Sequence, residues 1–281
     1  MAKAAHPIVV GYDGSADSDR ALDWAVSAAR QRSRPLRLVA VLDDAAPDWL
    51  PEQVKDAQRQ AAERLSDAGD RSGGLPVTIM QPRHEEATHA LLRLSDDADL
   101  VVLGSHGHGV LAGMLIGSVS QHLSRHATCP VVVVRQPHDA GSKRIVIGFD
   151  DSPGSERALE FGFDTARAWR APLTVVHGWR YSTAGPVGMF LPEAPDIAEE
   201  ITSERAKLRD ALVGWIEKYP EVKVAHEAIP YHPVRALADA SEHATLVVVG
   251  SRGRGTFTGM LLGSVSQGIL QRARCSVAVA R

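Results

Sequence analysis

At 281 residues the chain holds about two domains of ordinary size, each able to bury its own core, so a disulfide-stapled mini-protein is excluded. Apolar residues make up 44% and charged residues 23%, and no apolar run reaches the roughly eighteen residues that suggest a membrane-spanning helix. With 31 Lys plus Arg against 34 Asp plus Glu, the formal charge of −3 gives no broad basic field for nucleic acid, so any polyanion must be held locally.

The opening MAKAAHPIVV has neither an export-length apolar stretch nor a transit-peptide composition, which predicts a cytoplasmic protein. From there, short β-branched runs alternate with helical patterns. Strands are expected at 8–12, 36–42, 77–80, 100–104 and 131–134. Helices are expected at 16–32, with Ala21, Leu22, Ala25, Ala28 and Ala29 on one side, and at 53–68. Cys129 and Cys275 form no CxxC pair and read as small buried residues. A turn-rich stretch, QPHDAGSK at 136–143, reads as a linker.

Beyond it the pattern starts again. IVVGYDGS at 8–15 returns as IVIGFDDS at 145–152, and GSHGHGVLAGMLIGSVSQ at 104–121 returns as GSRGRGTFTGMLLGSVSQ at 250–267, twelve of eighteen residues being identical. Second-copy strands are expected at 144–149, 173–178, 222–229, 245–250 and 276–280, and the second copy carries nine extra residues, assigned to the loop 181–195. Buried strands separated by helices imply parallel sheets covered on both faces with right-handed crossovers. The fold expected is α/β: two tandem doubly wound lobes, Rossmann- or flavodoxin-like, with five strands each, over residues 1–137 and 143–281.

In such sheets a ligand lies beyond the carboxyl ends of the strands, where strand order reverses. If strands one and four are neighbours, the Gly11–Ser15 turn faces the glycine loop that starts at Gly104. The spacing Gly104-x2-Gly107-x9-Gly117-Ser118 repeats as Gly250, Gly253, Gly263, Ser264. Glycines allow positive φ and close approach of backbone N–H groups to an anion. A helix begun near Ser118 or Ser264 as N-cap would aim its positive end at the same anion, and Ser120 and Ser266 add hydroxyls. Phosphate suits this arrangement. The loop has no lysine and no G-x-x-x-x-G-K-[ST], so it is not a P-loop, and its weak dinucleotide-like Gly107-His108-Gly109 follows the wrong strand. The histidines 177, 226, 232 and 243 have no metal-ligand spacing, and no metal site is assigned.

With Asp13 and Asp150 closing the first strands, the doubled glycine loop, and the closing strands CPVVVVR (129–135) and CSVAVAR (275–281), the chain resembles the universal stress proteins in their tandem two-domain form. The resemblance implies one adenine nucleotide, ATP, in each lobe, and Mg²⁺ is expected on its triphosphate, where Asp13 or Asp150 could help hold it. In lobe one the resemblance puts Asp13 by the ribose, Gly11 and the Val41 backbone by the adenine, and Gly104, Gly107, Gly117, Ser118, Val119 and Ser120 around the phosphates. The matching set is Gly148, Asp150, Gly178, Gly250, Gly253, Gly263, Ser264, Val265 and Ser266. His106 and His108 are replaced by Arg252 and Arg254, which add positive charge near the phosphates. The resemblance also implies that Val131–Val134 pairs with Val277–Val279 across a pseudo-twofold axis; a further homodimer of two chains is left open. The function expected is nucleotide-dependent regulation of stress response or growth through an unknown protein partner. The alternative is a slow ATPase or phosphotransferase, for which one carboxylate per lobe is sparse equipment, and no catalytic residue is assigned.

Overall fold

A computed structural model describes residues 6–40, 63, 67, 75–80, 86–107, 116–139, 141–179, 197–254 and 261–281. The expected helix at 53–68 (except Glu63 and Asp67), the loop 181–195, Val41 and His108 lie outside the described residues.

By contacts the chain forms two compact units. The first is Met1–Gln136 with Ser276–Val279 and Arg281; the second is Pro137–Cys275 with Ala280. The first contains β1 (Ile8–Gly11), α1 (Ala16–Arg32), β2 (Leu36–Val39), β3 (Val77–Met80), α2 (Ala87–Ser95), β4 (Leu100–Gly104), α3 (Ser118–His126) and β5 (Val131–Val134). The second contains β6 (Ile145–Gly148), α4 (Pro153–Trp169), β7 (Leu173–Gly178), α5 (Ile197–Lys218), β8 (Val224–Ile229), α6 (Pro233–Ser241), β9 (Leu246–Gly250) and α7 (Ser264–Arg272). The last strand, β10 (Ser276–Ala280), falls almost wholly in the first unit because Val277, Ala278 and Val279 pair antiparallel with Val133, Val132 and Val131, the pairing anticipated for these two strands.

Within the first unit the strand order is β3-β2-β1-β4-β5-β10, and within the second it is β9-β6-β7-β8. All pairs except β5 with β10 are parallel. Strand β1 lies between β2 and β4, in register Ile8 with Leu36 and Leu100. Sequence order therefore reverses between β1 and β4, and likewise between β6 and β9. This creates the crevice a doubly wound sheet offers to ligands.

The strands are short because their composition allows burial on both faces and then stops at a glycine or a turn. Ile8, Val9, Val10, Val101, Val102, Ile145, Val146, Ile147, Val247 and Val248 are fully buried. Helix α1 covers one face with Ala21, Leu22, Ala25, Val26, Ala28 and Ala29, whose four alanines bring the helix close to the sheet. It starts where the Ser15 side chain accepts the Ser18 amide hydrogen bond, and ends at Ser33 in the left-handed conformation. Helix α4 repeats the design with Pro153 in its first turn and a reciprocal Ser152/Ser155 box.

In the second unit, Phe163 of α4 is fully buried, stacks on Trp215 and meets the tilted Tyr219 ring of the α5 region, at centroid distances of 5.6 and 5.2 Å. The Tyr219 hydroxyl donates to Asp164, and burial, with that carboxylate, pushes the phenol up to about 12. Removing the Phe163 ring leaves a void between sheet, α4 and α5. We expect Phe163→Ala to cost the second unit about 3–5 kcal/mol in guanidinium denaturation followed by tryptophan fluorescence, and a loss under about 1 kcal/mol would contradict this packing.

Candidate functional site

The two crevices are built by the same sequence of steps. Strand β1 ends at Gly11; Tyr12 and Asp13 follow, and the chain turns through Gly14, whose φ of 81° is left-handed. The Asp13 carboxylate accepts the Ser15 amide at 3.0 Å, which ties the turn to the start of α1. In the second unit the left-handed position is occupied by Asp151, with φ 58°, and Asp150 accepts the Ser152 amide at 3.2 Å and its hydroxyl at 2.5 Å. Asparagine and aspartate tolerate this conformation better than most residues with a Cβ, which explains how Gly14 and Asp151 can hold the same turn.

The glycine loop closes over this turn. Gly117 and Gly263 donate to the carbonyls of Ser105 and Ser251, both at 2.7 Å, so the two ends of each loop are clamped together. The Ser120 and Ser266 hydroxyls reach back to Gly104 and Gly250 carbonyls at 2.7 and 2.5 Å. These two serines are therefore buried braces and not free phosphate donors. The N-caps are Gly117 and Gly263, one residue earlier than expected, and neither makes a side-chain cap. The first helical bonds run from Gln121 to Gly117 and from Gln267 to Gly263. The amides of Ser118–Ser120 and Ser264–Ser266 consequently form the open, positive helix ends, supplied by backbone.

The glycines are needed for approach and not for left-handed backbone. Among the described glycines only Gly14 has positive φ. A Cβ at Gly104 would lie 2.8 Å from the Asp17 backbone, and one at Gly107 or Gly253 would strike the carboxylate of Asp13 or Asp150. A Cβ at Gly11 or Gly148 would meet Leu103 or Leu237 at 2.6 or 2.8 Å. A Cβ at Gly178 would come 2.9 Å from Pro233 Cα, since α6 begins directly over the end of β7.

In the second unit these elements enclose a cleft of about 410 Å³. Gly148, Asp150, Gly178, Gly250, Arg252, Gly253, Gly263, Ser264, Val265 and Ser266 all line it, so the ten positions expected there converge. Sequence reasoning missed Phe149, Ser155, Val176, Pro233, Leu237 and Val249 on the same walls. Pro233 and Leu237 stand on α6, which carries no motif; their one signal was the helix start at Pro233, just past β8. The walls grade from apolar at Val176, Pro233, Leu237 and Val249 to polar at the loop, where Arg252 and Arg254 join the open amides. The Arg254 amide donates to Asp150 at 3.2 Å and its guanidinium to Asp151 at 2.8 Å.

In the first unit, Gly11, Asp13, Gly104, His106, Gly107, Gly117, Ser118, Val119 and Ser120 hold the equivalent positions, and Leu91 packs beside Gly11 as Leu237 does beside Gly148. One feature differs. Asp17, in the first turn of α1, accepts the Ser105 hydroxyl at 2.6 Å and the His106 amide at 2.9 Å, lies 3.3 Å from His106 Nδ1, and pairs with Arg20. Its counterpart, Gly154, has no side chain, and a Cβ there would strike the Arg252 carbonyl.

The four histidines singled out in the second copy are scattered over that unit. His177 Nδ1 lies 2.8 Å from the Phe149 carbonyl and therefore carries the proton, while Nε2 faces Glu204 at 3.5 Å. His232 caps α6, His243 is exposed near Asp139, and His226 is half-buried on β8. Among the described residues no three His, Cys, Asp or Glu side chains gather as a metal cluster. Both cysteines are buried, and desolvation pushes the Cys129 thiol up to about 12. No helix among the described residues is long and apolar enough to cross a membrane.

A doubly wound α/β fold, duplicated in one chain, with a glycine-lined crevice at the reversal of strand order, is the class of protein defined so far. The Universal stress protein family matches residues 5–135 and again 141–281. A universal stress protein of Mycolicibacterium smegmatis is 36% identical, covering 98% of this chain and 96% of the relative. Universal stress protein Rv2005c of Mycobacterium tuberculosis is also 36% identical, covering 98% and 97%. The crystal structure of a universal stress protein from Archaeoglobus fulgidus superposes with a TM-score of 0.69 at 18% identity, covering 99% of this chain and 98% of that one, which shows the fold. The chain belongs to the universal stress protein family.

Burial alone would raise the Asp17 carboxyl, but the Ser105 hydroxyl, the Arg20 guanidinium and the His106 ring and amide outweigh it and hold Asp17 below its ordinary value. A carboxyl lowered on folding adds stability that is present above the unfolded value and lost as pH falls through the folded one. Asp17→Asn is therefore expected to lower the urea midpoint at pH 7, and its deficit against the parent protein should shrink as pH drops below about 4. An equal deficit at pH 7 and pH 3 would show that Asp17 contributes no ionised contact.

Proposed function

We propose that each unit binds one adenine nucleotide, ATP with Mg²⁺, and that the chain acts as a nucleotide-dependent regulator whose occupancy is read by a protein partner. The observation that carries this reading is the second-unit cleft, where an apolar slot leads to open helix-terminal amides lined by two arginines. Its volume of about 410 Å³ is in the usual range for small-molecule sites.

The residues fit the nucleotide part by part. Gly148, Val176, Gly178, Pro233 and Leu237 offer a flat apolar wall for a base, with backbone groups at Gly178 to fix its edge. The Asp150 carboxylate, already oriented by Ser152 and the Arg254 amide, retains acceptor capacity for ribose hydroxyls. Gly253, Gly263, Ser264 and Val265 offer backbone amides to phosphate, and α7 directs its positive end there. Mg²⁺ would be held chiefly by phosphate oxygens and water, which is its habit in nucleotide sites. In the first unit Gly11, Asp13, Gly104, Gly107, Gly117, Ser118 and Val119 would take the same parts.

The equipment suits retention more than turnover. The loop supplies no lysine, and the Asp13 and Asp150 carboxylates are tied to turn amides, so neither is a free base aimed at a γ-phosphate. Regulation requires ATP to favour one conformation of the chain over another, since equal affinity for two states shifts nothing.

The test is to purify the chain without added nucleotide, denature it, and quantify released nucleotide by chromatography, with Mg²⁺-ATP titration of the stripped protein. Recovery of intact ATP, or micromolar ATP binding, is expected. Recovery of ADP with phosphate release over many turnovers would favour the slow ATPase, and neither recovery nor binding would overturn the nucleotide reading.

A further inference from the structure

We infer that the two sites are unequal: the second is the tight site for polyphosphate, and Asp17 makes the first a weak one by withdrawing the side chain at position 106 from its phosphate end. The inference rests on the nucleotide reading and goes beyond it by assigning a specificity-determining residue to one unit alone.

Position 106 and position 252 occupy the same place in the two loops, two residues past the strand-ending glycine. In the second unit Arg252 lines the cleft, is exposed, and has no salt-bridge partner among the described residues. Arg254 adds a second guanidinium, whose pairing with Asp151 is solvent-exposed and so costs little to exchange for phosphate. In the first unit His106 is only about one-third exposed and turns to Asp17 and to the Ser105 hydroxyl, 3.0 Å away. Whatever charge the imidazole carries is met by the Asp17 carboxylate, 15% exposed, which also holds the loop through the His106 amide.

The difference is built into the backbone. Gly154 lets the start of α4 come against the Arg252 carbonyl, where any side chain would collide, so an aspartate cannot serve the second loop in this geometry. At Asp17 the side chain fits and becomes the clamp. Asp17 is thus a positioning residue acting through His106: it leaves the apolar slot and ribose turn alone and changes only what meets the phosphates. A triphosphate should distinguish the two sites, and adenosine should not.

The full chain, stripped of nucleotide, is titrated calorimetrically with Mg²⁺-ATP and separately with adenosine. Two surface variants isolate the sites: Ser118→Glu and Ser264→Glu each put a carboxylate at an exposed first helical position, where acidic residues favour the helix but repel phosphate. ATP is expected to bind in two phases at least about tenfold apart, the gain from one added charge-assisted contact. Ser264→Glu should remove the tight phase and Ser118→Glu the weak one. In the Ser264→Glu background, Asp17→Gly with His106→Arg should tighten ATP at the first site about tenfold while leaving adenosine unchanged. Equal ATP affinities in the two single-site variants, or a swap that moves ATP and adenosine together, would overturn the inference while the nucleotide reading stands. Absence of ATP binding to the parent chain would overturn both.

Discussion

Strand β4 and helix α1 can meet backbone to backbone because residue 104 has no side chain, and the crevice of the first unit depends on that contact. A Cβ at Gly104 would come within 2.9 Å of the Asp17 backbone oxygen and 2.8 Å of its Cβ. Pushing the loop outward by that amount would separate Gly107 from the Asp13 carboxylate it now touches and undo the Ser105 contact that pins Gly117. In the second unit the contact is closer still, glycine against glycine, between residues 250 and 154. A doubly wound sheet always leaves a gap where strand order reverses. These glycines set how far the gap opens, and therefore whether loop amides and strand-end carboxylate act on one ligand.

The duplication shows how much of this geometry tolerates change. The left-handed residue of the turn is Gly14 in one unit and Asp151 in the other, yet both turns are fixed by the preceding aspartate accepting an amide two residues on. The loop braces are reproduced almost atom for atom, from Gly117 to Ser105 and from Gly263 to Ser251. What has diverged is charge. Asp17, Arg20 and His106 form a compact cluster in the first unit, whereas Arg252, Arg254 and Asp151 spread over an open rim in the second. Hydrogen bonding conserves the frame, and the electrostatics on it are free to differ.

Most of the frame was legible in the sequence. Fully buried parallel strands are near-continuous Val, Ile and Leu, so their ends fell within two residues wherever they are described, apart from that at 36–42, which stops at Val39 and whose last residues are not described. Seven of the ten second-unit positions were legible because the loop spacing occurs twice, Gly148, Asp150 and Gly178 came from the resemblance, and all ten line one cleft. The reading erred where a residue's role depends on what lies across the crevice. The serines at 120 and 266 look like phosphate donors in a glycine-serine loop, yet each bonds the carbonyl of the strand-ending glycine sixteen residues back. Of the two uses anticipated for the loop glycines, positive φ and close approach, only close approach is seen among those described. Pro233 and Leu237 were silent because an ordinary helix residue reveals nothing of the wall it forms until the sheet is assembled. Asp17 was silent for the opposite reason: an acidic residue in a first helical turn already has an adequate local explanation.

The placement of β10 bears on how the chain comes to be folded. Its residues Val277–Val279 complete the edge of β5, and Ser276 Oγ accepts the amide of Arg135, 141 positions earlier. A ribosome making this chain releases β5, four consecutive valines, and then adds the whole second unit before the covering strand exists. During that interval an apolar strand edge is presented to whatever else is in the cell, the hazard that nascent chains with distant strand partners share. The first unit emerges first and is finished last, so its maturation waits on synthesis of the second.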